Sequence, residues 1–201
     1  MKIYHYTKSN RLNSIFEDGY IATEKKRSLN SVHKNTDYVW LTEKRIYPKT
    51  ALPMLSMFSE TLLTTHLRNK NVVVDLEKIG KVYGNFYRFS FDSSDERLQK
   101  WYHSDERKIA RNCNVWMNME NIANKVGDDV RSFWFSTNDL MLENFSLEVF
   151  ENGQWNTLLS NTSLSNLTDE EINVIDLHAK ISRQKCIEFG IPITSNQVKI
   201  F

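Results

Sequence analysis

The residues best suited to bind a polar ligand lie in two short segments near the start of the chain. The first, KIYHYT at residues 2–7, alternates so that His5 and Thr7 point to one side of a strand. A histidine ring nitrogen can hold a ribose hydroxyl through a hydrogen bond. The second, DYVWLT at residues 37–42, offers aromatic faces for a base or a nicotinamide ring. Both segments are therefore candidates for lining a ligand cleft.

The sequence carries few other patterns typical of catalysis. It has no glycine-rich phosphate loop, no pair of histidines at helical spacing that would bind a metal ion, and no nucleophile elbow. Cys113 and Cys186 lie far apart without metal-binding spacing, and we interpret both as buried and inert. We expect no bound metal, and this cysteine usage favours a reducing, cytoplasmic compartment.

Composition and charge indicate a soluble globular protein. The chain has 201 residues, of which 40% are hydrophobic and 25% charged, and no stretch approaches the roughly 20 apolar residues of a membrane helix. The start, MKIYHYTKSN, lacks the apolar core of a signal peptide. A net charge of +1 favours neither nucleic acid nor acidic partners in bulk. We expect one domain with no membrane contact, and the sequence gives no indication of its oligomeric state.

Short strands alternate with helices around the two ligand segments. Residues 9–18 form a predicted helix that Ser9 or Asn10 caps and that Gly19 ends in a left-handed conformation. Residues 24–36 are polar and aperiodic and predict a loop. Strands are predicted at 37–42, 71–76, 87–92, 132–136 and 145–155, and helical patterns at 48–70 and within 93–125. Since no series of parallel crossovers is indicated, we expect an α+β fold with two small, mostly antiparallel sheets around a cleft and peripheral helices.

The clearest predicted helix lies in the tail, over residues 168–190. Thr168 and Glu171 form a capping box at its start. Its apolar stripe consists of Ile172, Ile175, Ala179, Ile181 and Ile187. We interpret residues 1–160 as the main domain and residues 161–201 as a C-terminal helical tail that packs on it.

The order of these elements resembles a known superfamily. YHYT at the start, the helix ending IFEDGYI, and then VWLT and PKTAL resemble the N-terminal half of the ADP-ribosyltransferase-like superfamily. The likeness is best to small bacterial and phage proteins that open with a YHYT strand, and extends more distantly to DarT-type DNA ADP-ribosyltransferases. It covers residues 2–52, with a weaker likeness in SFWFSTNDLMLENFSLEVF to the strand pair that closes that fold. The resemblance implies NAD as cofactor, bound in a cleft between two small sheets.

The resemblance also implies roles for individual residues. In the superfamily the first-strand histidine commonly holds a ribose, and an aromatic or hydroxyl residue of the second strand supports the nicotinamide. Since the resemblance places these strands side by side at the cleft, we expect His5 and Trp40 to share a pocket. The cofactor-binding residues expected on this basis are His5, Tyr6, Thr7, Tyr38, Trp40, Thr42 and, for a phosphate, Arg131.

The catalytic carboxylate is where the sequence departs from the superfamily. Active transferases usually carry a glutamate near the strand before the closing one, and here VRSFWFS has Ser132 and Phe133 at that place. Glu143 and Glu148 are the nearby carboxylates, and Glu148 is the candidate catalytic residue. The resemblance thus implies a mono-ADP-ribosyltransferase that transfers a glycosyl unit from NAD to a host protein or a nucleic acid.

Two other functions stay open on the residues. One is a non-catalytic binding module on the same fold, such as a phage-encoded inhibitor that binds a host protein or captures a nucleotide. The other is a nuclease or RNA-processing toxin in which His5 works with a second histidine as acid and base. The candidate partners for that role are His33, His66 and His103.

Overall fold

The computed structural model of the chain describes residues 1–23, 38–51, 75–110, 120–121 and 123–188. Several sequence predictions therefore cannot be compared with it. The predicted elements and residues that lie outside the described residues are the loop at 24–36, most of the helical stretch at 48–70, strand residues 71–74, His33, His66, Cys113 and the end of the tail helix.

Antiparallel strands form the framework of the protein. In chain order the described strands are β1 (Lys2–Lys8), β2 (Tyr20–Ile21), β3 (Val39–Thr42), β4 (Phe86–Asp92), β5 (Gln99–Lys100), β6 (Phe133–Ser136), β7 (Leu140–Met141), β8 (Phe145–Glu151) and β9 (Gln154–Thr162). One sheet has seven strands in the order β5-β6-β3-β1-β4-β8-β9, and β2 pairs with β7 in a two-stranded sheet. The two sheets are thus very unequal in size.

Helices complete an α+β fold, which confirms the predicted class. The principal helices are α1 (Ser9–Asp18), α2 (Leu76–Tyr83), α3 (Asp105–Ala110) and α4 (Asp169–Glu188). Helix α2 begins at Leu76, the last residue of the predicted strand 71–76, and Asp75 caps it by accepting a hydrogen bond from the Lys78 amide at 2.9 Å. Within the described part of the chain, no helix combines the length and the apolar character needed to cross a membrane.

The main hydrophobic core lies between the larger sheet and the helices α1 and α4, on what we call the helix face of the sheet. It joins side chains from the sheet and from both helices, namely Ile3, Val39, Leu41, Tyr87, Phe89, Leu147, Leu12, Ile15, Phe16 and Ile175 among others. Removing this apolar surface from water is the principal force that holds the layers together.

The opposite face of the sheet, the far face, carries two separate clusters. The first covers β3 and β6 and comprises Tyr38, Trp101, Ala123, Val130, Phe133 and Phe135, with Trp40 packed against it. The second covers β1, β4 and β9 and comprises Tyr4, Tyr6, Tyr47, Leu76 and Phe86, with Ile79, Phe150 and Trp155 packed against it. As far as the described residues show, the apolar side chains of the far face form two clusters, whereas those of the helix face form one continuous core.

The division coincides with an interrupted ladder between β1 and β3. Strand β1 pairs with β4 along its whole length, from Lys2 opposite Asp92 to Lys8 opposite Phe86. With β3 it shares one Cα pair in the described residues, Tyr4 opposite Thr42. We call this junction the seam. It joins a half-sheet of β5, β6 and β3 to a half-sheet of β1, β4, β8 and β9.

The tail helix packs on the core through a narrower stripe than the sequence predicts. Ile175 and Ala179 are buried, and α4 contacts α1, α2 and β9. The other predicted stripe residues, Ile172, Ile181 and Ile187, are exposed. The capping box forms as predicted, since the Glu171 amide donates to Thr168 Oγ1 at 3.3 Å and the Thr168 amide donates to Glu171 Oε2 at 2.9 Å. The interpreted boundary at residue 160 falls inside β9.

Candidate functional site

His5 lies at the seam and makes a hydrogen bond across it. Its Nδ1 is 2.9 Å from the backbone oxygen of Trp40. Because a carbonyl oxygen can only accept, Nδ1 carries the proton and, in the neutral ring, Nε2 is the acceptor. The side chain is buried. The histidine is therefore fixed in orientation by the strand that the sequence analysis paired with it.

The prediction that His5 and Trp40 share a pocket is wrong for their side chains. Alternation along β1 places His5 on the helix face together with Ile3, opposite Phe89 of β4. Trp40 packs on the far face, with its ring 4.9 Å from that of Trp101 in an edge-on contact. The two residues meet through the backbone of β3 and not through facing side chains.

The other predicted cofactor residues of the first two strands are distributed over both faces. Tyr6 is on the far face and donates its hydroxyl to the Lys44 oxygen at 2.6 Å, and burial raises the pKa of that hydroxyl well above its usual range. Thr7 is buried on the face that carries His5. Thr42 Oγ1 lies 3.1 Å from Ser132 Oγ and accepts from the Lys44 amide at 3.1 Å.

Tyr38 and Arg131 take part in aromatic contacts away from β1. The Tyr38 ring packs edge-on against Phe135 at 4.9 Å and against Trp40 at 5.6 Å. Arg131 is exposed, and its guanidinium carbon lies 5.5 Å from the centre of the Tyr102 ring. An exposed guanidinium can bind a phosphate, but its position against Tyr102 does not by itself indicate one.

The candidate catalytic residue Glu148 is held in an ion pair with Arg88. Arg88 donates from Nε to Glu148 Oε2 at 2.7 Å and from Nη2 to Oε1 at 3.0 Å, so both carboxylate oxygens are engaged. The side chains of Arg88 and Glu148 are 7% and 14% exposed. This two-fold bond is the geometry of a strong structural pair. As placed here, the carboxylate is occupied by a cation of its own chain.

Arg88 has further contacts that fix it between aromatic rings. Its guanidinium carbon lies 4.5 Å from the centre of the Tyr4 ring and 4.4 Å from that of Trp155, and its Nη1 donates to the Arg45 oxygen at 2.7 Å. Burial would lower the pKa of Arg88, but the hydrogen bonds and charge of Glu148 outweigh it and raise the pKa above its usual range. Arg88 is therefore charged at any pH at which the protein is folded.

Arg88 was not among the residues predicted from the sequence, although the sequence contains a signal for it. FYRFSFD places one arginine among large apolar residues of a strand, and FSLEVFE places Glu148 among the apolar residues of another, with Glu151 at its end. A charge buried in such a strand needs a partner of opposite sign. Arg88 and Glu148 are directly opposite each other in the register of β4 and β8. Two lone opposite charges in neighbouring apolar strands thus predict a buried pair.

The atom that would hold a ribose hydroxyl of NAD is His5 Nε2. That atom is buried in this arrangement. In the described part of the chain, no cluster of three or more histidine, cysteine, aspartate or glutamate side chains is arranged to hold a metal ion. Comparison of the chain with protein-family models, with curated proteins and with solved structures finds no match.

Proposed function

We propose that the chain is an ADP-ribosyltransferase-like protein that binds NAD at the seam and modifies a host protein or a nucleic acid. The observation that carries the proposal is the position of His5. It lies where β1 and β3 run side by side, the two strands to which the resemblance assigns the cofactor, and it is bonded to β3 at Trp40. An orientation fixed in this way suits a residue that must present one nitrogen to a ligand.

The role of this chain's own residues at the seam is binding and orientation. Because Nδ1 donates its proton in a hydrogen bond to the Trp40 oxygen, His5 can accept a hydrogen bond from a ribose hydroxyl through Nε2. NAD, when bound, would supply the ADP-ribosyl unit and nicotinamide as the leaving group. Because Nε2 is buried, the groups that cover it must move before a ribose can reach it.

A second function, a non-catalytic binding module on the same fold, is favoured by the state of Glu148. Both of its oxygens accept from Arg88, so the carboxylate is not available to hold a ribose or to stabilise a developing positive charge. A phage-encoded inhibitor that binds a host protein or captures a nucleotide would not need that carboxylate. A module that captures a nucleotide would share the cofactor site with the first candidate and differ in turnover, whereas one that binds a host protein would not need NAD.

Calorimetry with NAD tests the shared claim. We expect His5→Ala to weaken NAD binding by about 1–3 kcal/mol, the scale of a lost hydrogen bond to a buried group, which is roughly five- to 150-fold in affinity. His103→Ala is the matched control, because this exposed histidine packs against Tyr102 and its removal should leave affinity unchanged. Absence of binding at millimolar NAD would remove the cofactor from the proposal.

Incubation with labelled NAD and a host lysate separates the two functions. Label attached to a protein or nucleic acid, and lost in His5→Ala, supports the transferase. NAD binding without any label supports the non-catalytic module. RNA cleavage in the absence of NAD would contradict both and favour the nuclease.

A further inference from the structure

Side-chain hydrogen bonds supplement a short backbone pairing at the seam. Three residues of the β1 and β4 half-sheet bond to backbone oxygens on the other side: His5 to Trp40 at 2.9 Å, Tyr6 to Lys44 at 2.6 Å and Arg88 to Arg45 at 2.7 Å. Strand neighbours normally satisfy such oxygens with amides. In the described residues the seam has one Cα pair, against seven between β1 and β4 and four between β3 and β6.

The distribution of apolar contacts would give an opening at the seam a direction. On the helix face, Leu41 of β3 and Ile3 of β1 belong to the same core. This core would stay packed during the opening and act as the hinge. On the far face, the clusters around Trp101 and around Tyr6 are separate. Among the described residues, separating the half-sheets on the far face would therefore break few apolar contacts between them.

Residues 43–51, which we call the strap, cross this far-face boundary. The middle of the strap rests on the β1 and β4 half-sheet, through Tyr6, through Arg88, and through the Tyr47 ring at 5.0 Å from that of Tyr6. Here the backbone oxygens of the strap accept hydrogen bonds from two buried side chains, Tyr6 and Arg88, and the Tyr47 ring is itself buried.

The two ends of the strap belong to the other half-sheet. At its start, the Glu43 amide donates to the Ser132 oxygen at 2.9 Å. At its end, the amides of Lys49 and Thr50 donate to the Asp128 carboxylate at 3.1 and 2.7 Å. Asp128 is close in sequence to Val130, which lies in the cluster that covers β3 and β6. The strap is thus fixed at both ends to one half-sheet and held in its middle by the other.

From this arrangement we propose that the strap is a latch. Tyr6 and Arg88 hold its middle closed, and its release lets the half-sheet of β5, β6 and β3 move away from the half-sheet of β1, β4, β8 and β9 on the far face. The buried seam residue Thr42 is then exposed to solvent. This inference does not depend on the proposed function, because it concerns motion of the chain without ligand.

Thiol labelling at the seam tests the latch. In a background with Cys113→Ser and Cys186→Ser, Thr42→Cys places a reporter at a far-face position that is buried in the closed state. Adding Tyr6→Phe removes one hydroxyl, and with it the bond to Lys44, while the ring is kept. We expect labelling of the Thr42→Cys reporter to become roughly three- to tenfold faster, the scale of one net hydrogen bond.

Two controls separate latch opening from general destabilisation. Ser146→Cys is a buried reporter on β8, away from the strap, and its labelling should not change with Tyr6→Phe. Tyr47→Phe removes a hydroxyl that bonds to Ala51 within the strap, and it should not accelerate labelling at Thr42→Cys. An unchanged rate at Thr42→Cys with Tyr6→Phe, or an equal rise at both reporters, would overturn the latch.

Discussion

Glu148→Gln distinguishes a structural glutamate from a catalytic one. The substitution keeps the shape of the side chain and one acceptor oxygen but removes the charge that faces Arg88. In the native protein that guanidinium is 7% exposed and its Nε and Nη2 donate to the two carboxylate oxygens. A structural role predicts a loss of stability, whereas a catalytic role predicts a loss of activity in an equally stable protein.

The expected size of the stability loss follows from the contacts of Arg88. Removing one member of a buried ion pair typically costs about 3–5 kcal/mol, and a hydrogen bond to a charged group contributes about 1.5–3 kcal/mol. Glutamine retains one acceptor, and the Arg45 oxygen and two aromatic rings still contact the guanidinium. We therefore expect the free energy of unfolding to fall by about 2–3 kcal/mol.

Urea unfolding followed by tryptophan fluorescence measures this difference. Glu143→Gln is the matched control, because its carboxylate is 63% exposed and lies 3.6 Å from Arg97, so its loss should cost under about 1 kcal/mol. The double variant Arg88→Met with Glu148→Leu should be more stable than Arg88→Met, since no unpaired charge is left in the sheet.

The result that would refute this reasoning is specific. If Glu148→Gln unfolds with the same free energy as the native protein but no longer transfers label from NAD, Glu148 acts on the substrate and the pair with Arg88 is not its main role. If stability falls as expected while NAD affinity at 25 °C is unchanged, the carboxylate is structural. Transfer activity would then require another carboxylate.

Two further predictions concern the helices that cover the sheet. Burial lowers the pKa of His178, which lies 3.2 Å from the Tyr87 hydroxyl, below its ordinary value of 6.5 in spite of the nearby Glu151. The unfolded chain therefore binds more protons than the native protein, so the free energy of unfolding should fall as pH drops from about 6.5 through the lower native pKa. Urea unfolding at several pH values measures this dependence on pH, and His178→Gln should abolish the contribution of His178 to it. Gly19 ends α1 at φ 78°, and a Cβ there would lie 3.2 Å from Leu164 Cδ2. Gly19→Ala should lower the melting temperature, with a cost of about 1–2 kcal/mol from the strained φ, and an unchanged melting temperature would contradict this assignment.

Local signals in the sequence predicted the elements around the site well. Helix α1 ends at Gly19 as expected, and the amide of this glycine donates to the Ile15 oxygen at 3.0 Å. The start of α1 differs, because Lys8 occupies the N-cap and makes no side-chain bond there, although Ser9 or Asn10 was the predicted cap. A glycine at the C-terminus ends a helix through its own backbone conformation, whereas the N-cap residue depends on how the preceding strand leads into the helix.

Predictions failed where partners distant in sequence decide the conformation. In the helical pattern DERLQKWYHS, Trp101–His103 form a short 3₁₀ helix, but the residues before it form a turn and the short strand β5. There the Arg97 Nη1 donates to the distant Met141 oxygen at 3.0 Å. Ile181 repeats at helical spacing in α4 but is exposed, whereas Ile175 and Ala179 are buried on the side of the helix that contacts α1, α2 and β9. The spacing of apolar residues gives the helical period of an element, but it does not give the width of the surface against which the helix packs.

The candidate site, too, depends on contacts between residues that are distant in sequence. The resemblance implied that β1 lies beside β3, and the structure has these strands adjacent. Alternation gives the face of a side chain reliably within one strand, but across a junction the register must also be known, and one Cα pair fixes it here. That register sends Trp40 to the far face and leaves its backbone oxygen for His5. The chemistry at the seam therefore depends on a backbone group that no pattern of side chains encodes, and on an arginine whose partner lies 60 residues further along the chain.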